Sequence, residues 1–118
     1  MKCQISDDER EYCRRVIKAF SEIYERQDIY ATEVGQYGFV VLNGIDYDTN
    51  TFINADIYDN GDELFERLFT LWRGNYLYHI TKGTELEGMS YDDIMLNISI
   101  EQAIEIKDKE EYFKSKMY

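Results

Sequence analysis

Apolar side chains recur at helical spacing in the first quarter of the chain. From Tyr12 to Tyr24 they return every three to four residues, with charged residues between them, which is typical of a helix that buries one face. The preceding segment Ser6-Asp7-Asp8-Glu9 has the spacing of a capping box, in which a serine and a glutamate satisfy N–H groups at a helix start. The sequence therefore predicts a first helix over residues 7–27.

The most apolar stretch of the chain predicts a central helix. It begins after Asn60 and ends near Lys82 and Gly83, a pair that is typical of a helix C-terminus. Gly74 lies inside the stretch. Because glycine costs roughly 1 kcal/mol in a helix interior, we expect a break or a kink at this residue.

A pattern like a capping box, Ser90 to Asp93, and a further capping box, Ser99 to Gln102, predict helices near the end of the chain. Ser90 precedes residues 91–97, and Ser99 precedes residues 100–115. Apolar residues between positions 96 and 106 also alternate with polar ones, as they do in a strand. We favour a helix over 100–115, because the cap and the charged run that follows agree with it.

Three short segments between the helices have the patterns of strands. They are residues 29–34, residues 39–42 and Thr51–Tyr58, separated by residues that favour turns. In the third segment two sets of side chains alternate, so each set lies on one face. We expect the set with more aliphatic residues to be buried and the other to form an acidic, aromatic outer side. The two sets are Thr51, Ile53, Ala55 and Ile57, and Phe52, Asn54, Asp56 and Tyr58.

The order of these elements, α-β-β-β-α-α-α, predicts an α+β fold. We expect a small antiparallel sheet of two or three strands, with three or four helices packed on one face and the acids on the other. The 118 residues fit a single globular domain, 1–118. A hydrophobic content of 44% argues against disorder, although the net charge is −11.

Charge is distributed unevenly along the chain. The forty residues between Arg26 and Arg67 contain nine acids and no lysine or arginine. Such a segment repels nucleic acid and anionic membranes and attracts basic partners, although a purely solubilising surface explains it equally well. The acids are Asp28, Glu33, Asp46, Asp48, Asp56, Asp59, Asp62, Glu63 and Glu66.

This asymmetry leads to our first functional hypothesis, a non-enzymatic protein-interaction module that binds a basic protein surface. An inhibitor or immunity-type factor is its sharper form. We expect neither direct nucleic-acid binding nor membrane binding. The predicted partner-binding residues combine acids with aromatic rings that can stack on arginine; they are Asp46, Tyr47, Asp48, Asp56, Tyr58 and Asp59.

Motifs for catalysis or metal binding are weak in this sequence. Asp46-x-Asp48-x-Asn50 resembles the opening of an EF-hand loop, but Thr51 and Ile57 occupy positions that require glycine and glutamate. A hydrogen-bonded turn is the favoured interpretation. We therefore assign no catalytic residue, no metal and no cofactor.

Two alternatives to the interaction module remain open. One is a small-molecule binder or enzyme that uses a pocket near Trp72, Tyr76 and the single histidine, His79. The other is a structural homo-oligomer, driven by an exposed sheet edge or by apolar area near Leu71 and Trp72.

Cysteine use and hydropathy favour a cytoplasmic protein. Cys3 and Cys13 form no disulfide framework and are interpreted as reduced thiols. The first residues lack the apolar core of a signal peptide, and no apolar run approaches the roughly 18 residues of a membrane span.

Several short phrases resemble a group of bacterial proteins. They are residues 28–38 (DIYATEVGQYG), 63–65 (ELF), 71–72 (LW), 81–84 (TKGT) and 91–94 (YDDI). Together they resemble small acidic proteins of unknown function from Gram-positive gut bacteria and their mobile elements, over about residues 28–113. The resemblance implies a cytoplasmic bacterial origin and a role in conflict between hosts and mobile DNA. It brings no activity and no catalytic residues.

Overall fold

A computed structural model of the chain describes residues 5–24, 28–36 and 38–118. It shows an α+β fold in which a three-stranded antiparallel sheet is combined with five helices, as the order of predicted elements implies. The elements are α1 (Asp7–Ala19), α2 (Ser21–Tyr24), β1 (Ile29–Val34), β2 (Gly38–Asp46), β3 (Thr51–Tyr58), α3 (Gly61–Thr81), α4 (Tyr91–Asn97) and α5 (Ile100–Ser115).

The helix starts are where the caps predict them. The side chains of Ser6, Ser90 and Ser99 each accept a hydrogen bond from the backbone N–H three residues later. Ser99 also forms the complete capping box, because its backbone N–H donates a hydrogen bond to the side-chain oxygen of Gln102. Residues 100–115 are therefore helical, and the strand alternative for this segment is wrong.

The predicted first helix differs from the observed one at its C-terminal end. α1 ends at Ala19, Phe20 breaks the helical pattern, and α2 continues for one turn over Ser21–Tyr24. The last part of the predicted range, residues 25–27, lies outside the described residues. Phe20 is fully buried, so the break lets its ring enter the core between helices.

α3 runs without interruption through Gly74, so the expected break is not observed. Gly74 is exposed, and a Cβ built on it would meet no atom within 4 Å. The weak helix propensity of one glycine is outweighed, because the buried residues of α3 hold the helix on both sides of it, at Phe69 and Leu77.

The sheet is a meander in the order β1-β2-β3. Ala31 pairs with Val41, and Val41 with Asp56, in two antiparallel ladders. β2 extends over Gly38–Asp46, beyond the predicted 39–42. Asn43 pairs on both sides, with Ile29 and with Asn54, so ladder hydrogen bonds outweigh the local turn preference of Asn43 and Gly44.

The main core lies between one face of the sheet and the helices. Phe39 and Val41 of β2 are fully buried on this side. Among the helices, Phe20 stacks on Phe113 with ring centroids 4.2 Å apart and meets Phe65 edge-on at 5.1 Å. These rings bring α3, α5 and the junction between α1 and α2 into one aromatic cluster.

The expected orientation of β3 is wrong. The ladder places Asp56 opposite Val41 and Tyr58 opposite Phe39, and opposite residues in a ladder share a face. Asp56 and Tyr58 therefore point to the helix side, where Asp56 Oδ2 lies 3.5 Å from Arg67 Nη2 of α3. The aliphatic residues Ile53 and Ile57 point away from the helices and are 65% and 59% exposed.

Candidate interaction surface

The side of the sheet opposite the helices carries uncharged side chains from all three strands. The two ladder registers place these residues on one face. We call it the open face. Its members are Tyr30, Thr32, Val34, Val40, Leu42, Thr51, Ile53, Ala55 and Ile57, and Asp46, opposite Thr51, is the one acid at its end.

Four side chains of the open face are well exposed to solvent. Tyr30 is 47% exposed, Val34 37%, Ile53 65% and Ile57 59%. Charged residues make up 31% of the whole chain, so a face of this size with a single charged residue, Asp46, is a distinct feature. An exposed, contiguous patch of aliphatic and aromatic side chains is characteristic of an interaction site.

Three acids flank one end of the open face. Asp28 precedes β1, Asp46 ends β2, and Asp48 lies in the turn that follows. Tyr47, 78% exposed, donates a 2.8 Å hydrogen bond from its hydroxyl to Asp28, which raises the pKa of Tyr47. Within the described part of the chain, no lysine or arginine lies within 4 Å of these three carboxylates. We call this group the acidic end.

The six predicted partner-binding residues do not form one patch. Asp46, Tyr47 and Asp48 belong to the acidic end, whereas Asp56, Tyr58 and Asp59 lie at the other end of β3. An eight-residue strand spans about 23 Å between its first and last residues. Asp56 and Tyr58 also face the helices, so the structure brings together only the first three.

Arginines from α1 offset another acid of the lysine-free segment. Glu33 of β1 forms ion pairs with Arg10 and with Arg14, whose Nε lies 3.1 Å from Glu33 Oε1. Arg10 also donates 3.0 Å hydrogen bonds to the backbone carbonyls of Gly35 and Gln36. The sequence asymmetry therefore overstates the negative field on the helix side of the sheet, because α1 folds back over it.

The Glu33 cluster leads to a pH prediction. Hydrogen bonds from Arg14 and Arg10 hold the pKa of Glu33 below its ordinary value of 4.5. The folded chain thus binds this proton less readily than the unfolded chain, so the pairing stabilises the fold above the unfolded pKa and is lost as pH falls through the folded one. We expect wild type to melt at a higher temperature than Glu33→Gln at neutral pH, and the two to converge in acid.

Melting temperatures measured between neutral pH and about pH 3 test this linkage. Glu85→Gln is the matched control, because Glu85 is exposed and lies in the loop after α3. Its melting curve should stay parallel to wild type across the titration. A constant gap between wild type and Glu33→Gln would show that the arginines do not depress the Glu33 pKa.

The segment that resembles an EF-hand opening forms a hydrogen-bonded turn, as expected. The backbone N–H of Asp48 donates to Asp46 Oδ1 at 3.0 Å, and the N–H of Asn50 donates to the Asp46 carbonyl at 2.7 Å. Asn50 adopts a left-handed conformation with φ 57°, which asparagine tolerates better than most residues. In the described part of the chain, no three His, Cys, Asp or Glu side chains are grouped to hold a metal ion.

The residues of the predicted pocket pack against other rings or face solvent. Trp72 stacks between Phe69 and Tyr76, with ring centroids 5.6 and 5.3 Å away. Tyr76 donates its hydroxyl to Glu105, and burial together with this bond raises its pKa to about 12. His79 is exposed on α3. The four cavities described for this fold are lined by other residues.

The largest of these cavities is a cleft of about 530 Å³ between α3 and α5. Phe65 and Phe69 contribute its apolar wall, and Tyr12 donates to Asp62 at its rim. Arg73 lies over the Tyr91 ring, 4.7 Å from the centroid. Side chains of both signs line this cleft, namely Arg73, Lys114, Asp62, Glu66 and Glu110. Charge alone therefore selects no ligand class for it.

Sequence reasoning named Asp46, Tyr47 and Asp48 of the acidic end but grouped them with three residues from the other end of β3, and it missed the open face. Strand alternation groups Ile53 with Ile57, yet it does not say which face meets the helices. One signal was present: Val40 and Leu42 alternate with the residues that became the core, Phe39 and Val41. A strand that is apolar at every position is covered on both faces or leaves one apolar face for a partner.

Comparisons with known proteins do not identify a family for this chain. No protein-family model matches the sequence, and neither the curated proteins nor the solved structures include one that is significantly similar to it. Across the described residues, no helix combines the length and the apolar character that crossing a membrane requires.

Proposed function

We propose that this protein is a protein-interaction module that binds a basic partner through the open face and the acidic end. Apolar side chains of the partner would pack on the open face, and its lysines or arginines would approach Asp46 and Asp48. The observation that carries this proposal is a sheet face whose one charged residue, Asp46, lies at its end, in a chain with 24 acids and 13 basic residues. Charged groups are depleted at interface cores and placed at their rims.

The dimensions of the open face favour a helical binding element. Three strands spaced about 4.8 Å apart give a width of roughly 10 Å between the outer strand axes, which is close to the diameter of one helix. An amphipathic helix with basic residues on its flanks fits this surface in shape and charge. An inhibitor or immunity-type factor agrees with the same surface, because proteins that bind nucleic acid carry basic patches.

Charge reversal at the acidic end is the direct test. The purified chain is used as bait, the captured protein is identified and purified, and its affinity is measured directly. We expect Asp46→Lys combined with Asp48→Lys to weaken binding at least about tenfold, since tenfold corresponds to about 1.4 kcal/mol. Tyr30→Lys should weaken binding as well, because it places a charge on the open face. Added salt should weaken wild-type binding.

Glu85→Lys combined with Asp108→Lys is the control, since it changes net charge equally at exposed positions outside the sheet. This control should bind nearly as well as wild type. If both double variants lost the same affinity for the partner, the effect would come from net charge and not from the position of Asp46 and Asp48. Unchanged binding after Asp46→Lys, Asp48→Lys and Tyr30→Lys would refute the proposal.

A further inference from the structure

Among the described residues, β3 is an edge strand that forms a ladder with β2 alone. Seven of its eight residues are exposed, and Tyr58 is half-buried. Natural edge strands are commonly protected by lysine, proline or a covering element. β3 contains no lysine and no proline, and its one charged residue, Asp56, is paired with Arg67 on the helix side.

The opposite edge of the sheet is better protected. At β1, Tyr24 of α2 meets Tyr30 edge-on with ring centroids 6.5 Å apart. Arg10 and Arg14 of α1 bind Glu33 of the same strand. Helix side chains from α1 and α2 therefore contact β1, whereas β3, exposed at seven of its eight residues, is the more open edge.

The sequence of β3 is nearly symmetric about Ala55. Moving outward from this residue, Asn54 matches Asp56, Ile53 matches Ile57, and Phe52 matches Tyr58. A strand with this symmetry is complementary to an antiparallel copy of itself. Self-complementarity is the requirement of a two-fold interface, in which the same surface of both subunits meets.

We propose that two copies of this chain pair through β3, with Ala55 opposite Ala55 of the second copy. Ile53 of each copy then lies opposite Ile57 of the other on the open face. On the helix side Asn54 lies opposite Asp56, and Phe52 opposite Tyr58. Cross-strand pairs of apolar or aromatic side chains and of amide with carboxylate stabilise a ladder.

Other registers are less favourable. A shift of two residues in one direction places Asp56 opposite the Asp56 of the other copy, and directly opposed like charges destabilise a ladder. The same shift in the other direction places Phe52 opposite Asp56 and Ile53 opposite Ala55. A shift of one residue joins the open face of one copy to the helix side of the other.

The proposed pairing produces a continuous six-stranded sheet with both open faces on one side. The copies would meet along one strand each, so we expect a contact area below the roughly 800 Å² per partner of a standard interface and a dimer that dissociates on dilution. Each chain carries a net charge of −11, and salt screens the repulsion between the copies. Added salt therefore strengthens this dimer, opposite to its effect on a basic partner.

Sedimentation velocity of the purified chain at several concentrations tests the dimer. We expect the mass to rise with concentration toward twice the 14.1 kDa of one chain. Ile53→Lys combined with Ile57→Lys should leave a monomer, because lysines would face each other across the two-fold axis. Ile53→Lys combined with Ile57→Glu should restore the dimer, because each introduced lysine then faces an introduced glutamate.

Leu96→Lys is the control, since Leu96 is 82% exposed on α4 and lies outside the sheet. It should dimerise like wild type. A monomer at every concentration, a dimer unaffected by the lysine pair, or no recovery with the lysine–glutamate pair would overturn the proposal. Loss of the dimer in Leu96→Lys would place the interface elsewhere and overturn it as well.

Crosslinking tests the register by a second route. In a chain with Cys3→Ser, Ala55→Cys places two thiols across the axis, where opposite Cβ atoms lie about 4.5–5.5 Å apart. Thr51→Cys is the matched control, because its two copies would be about 27 Å apart along the strands. Mild oxidation should crosslink Ala55→Cys and not Thr51→Cys, and the reverse result would refute the register. These tests need no partner, so they stand or fall independently of the proposed function.

Discussion

Replacing Phe113 with alanine is expected to lower the free energy of unfolding by about 3–5 kcal/mol, the range for removing a buried aromatic ring. Phe113 is fully buried in α5. Its ring stacks on Phe20 at 4.2 Å and meets the rings of Trp72 and Phe69 edge-on at 6.0 and 6.4 Å. The variant removes the ring contacts that join α5 to α3 and to the junction between α1 and α2.

Ile104→Ala on the same helix provides the matched control. Ile104 is 53% exposed, so its truncation should change stability by no more than about 0.5 kcal/mol. Urea unfolding followed by the fluorescence of Trp72, the single tryptophan, measures both variants and reports from beside Phe113. Equal effects of the two substitutions would show that α5 is not anchored through Phe113.

Gly61→Ala is expected to destabilise the fold by about 1–3 kcal/mol, the usual cost of overpacking a filled site. A Cβ at this position would lie 1.7 Å from Cδ1 and 2.1 Å from Cε1 of Tyr12. The Tyr12 ring would have to move, and its 2.8 Å hydrogen bond to Asp62 would be lost with it. The contact between α1 and the first turn of α3 depends on this glycine.

Gly74→Ala in the same helix should have the opposite effect. A Cβ there meets nothing within 4 Å, so alanine is expected to stabilise α3 by up to about 1 kcal/mol through helix propensity alone. Thermal and urea unfolding of both variants measure whether each substitution lowers or raises the free energy of unfolding. If Gly61→Ala proved more stable than wild type, the Tyr12 ring would be able to move aside without loss of stability. If Gly74→Ala proved less stable, a constraint other than helix propensity would act on α3 at this position.

Local signals in the sequence were sufficient for most of the elements. The caps at Ser6, Ser90 and Ser99 and the period of the apolar residues act within a few residues of each other. α4 and α5 therefore occupy the predicted ranges. Predictions were less accurate where distant contacts outweigh local preference, as at Gly74, held by the core contacts of α3, and at Asn43, held by pairing on both sides.

The candidate surface was only half predictable, for a related reason. Asp46 and Asp48 lie in a turn whose hydrogen bonds are local, so their exposure follows from the sequence. The direction of Asp56 depends on Arg67 and on pairing with Val41. None of these three residues is a sequence neighbour of another.

The amino-acid sequence by itself determined the α+β class, the capped helix starts, the ranges of α4 and α5 and the grouping of Ile53 with Ile57, because these depend on short-range periodicity and on caps. The tertiary structure alone decided that this group faces away from the helices and that Arg10 and Arg14 neutralise Glu33. Alternation along a strand fixes which residues share a side, whereas the register with a distant strand fixes which side meets the core.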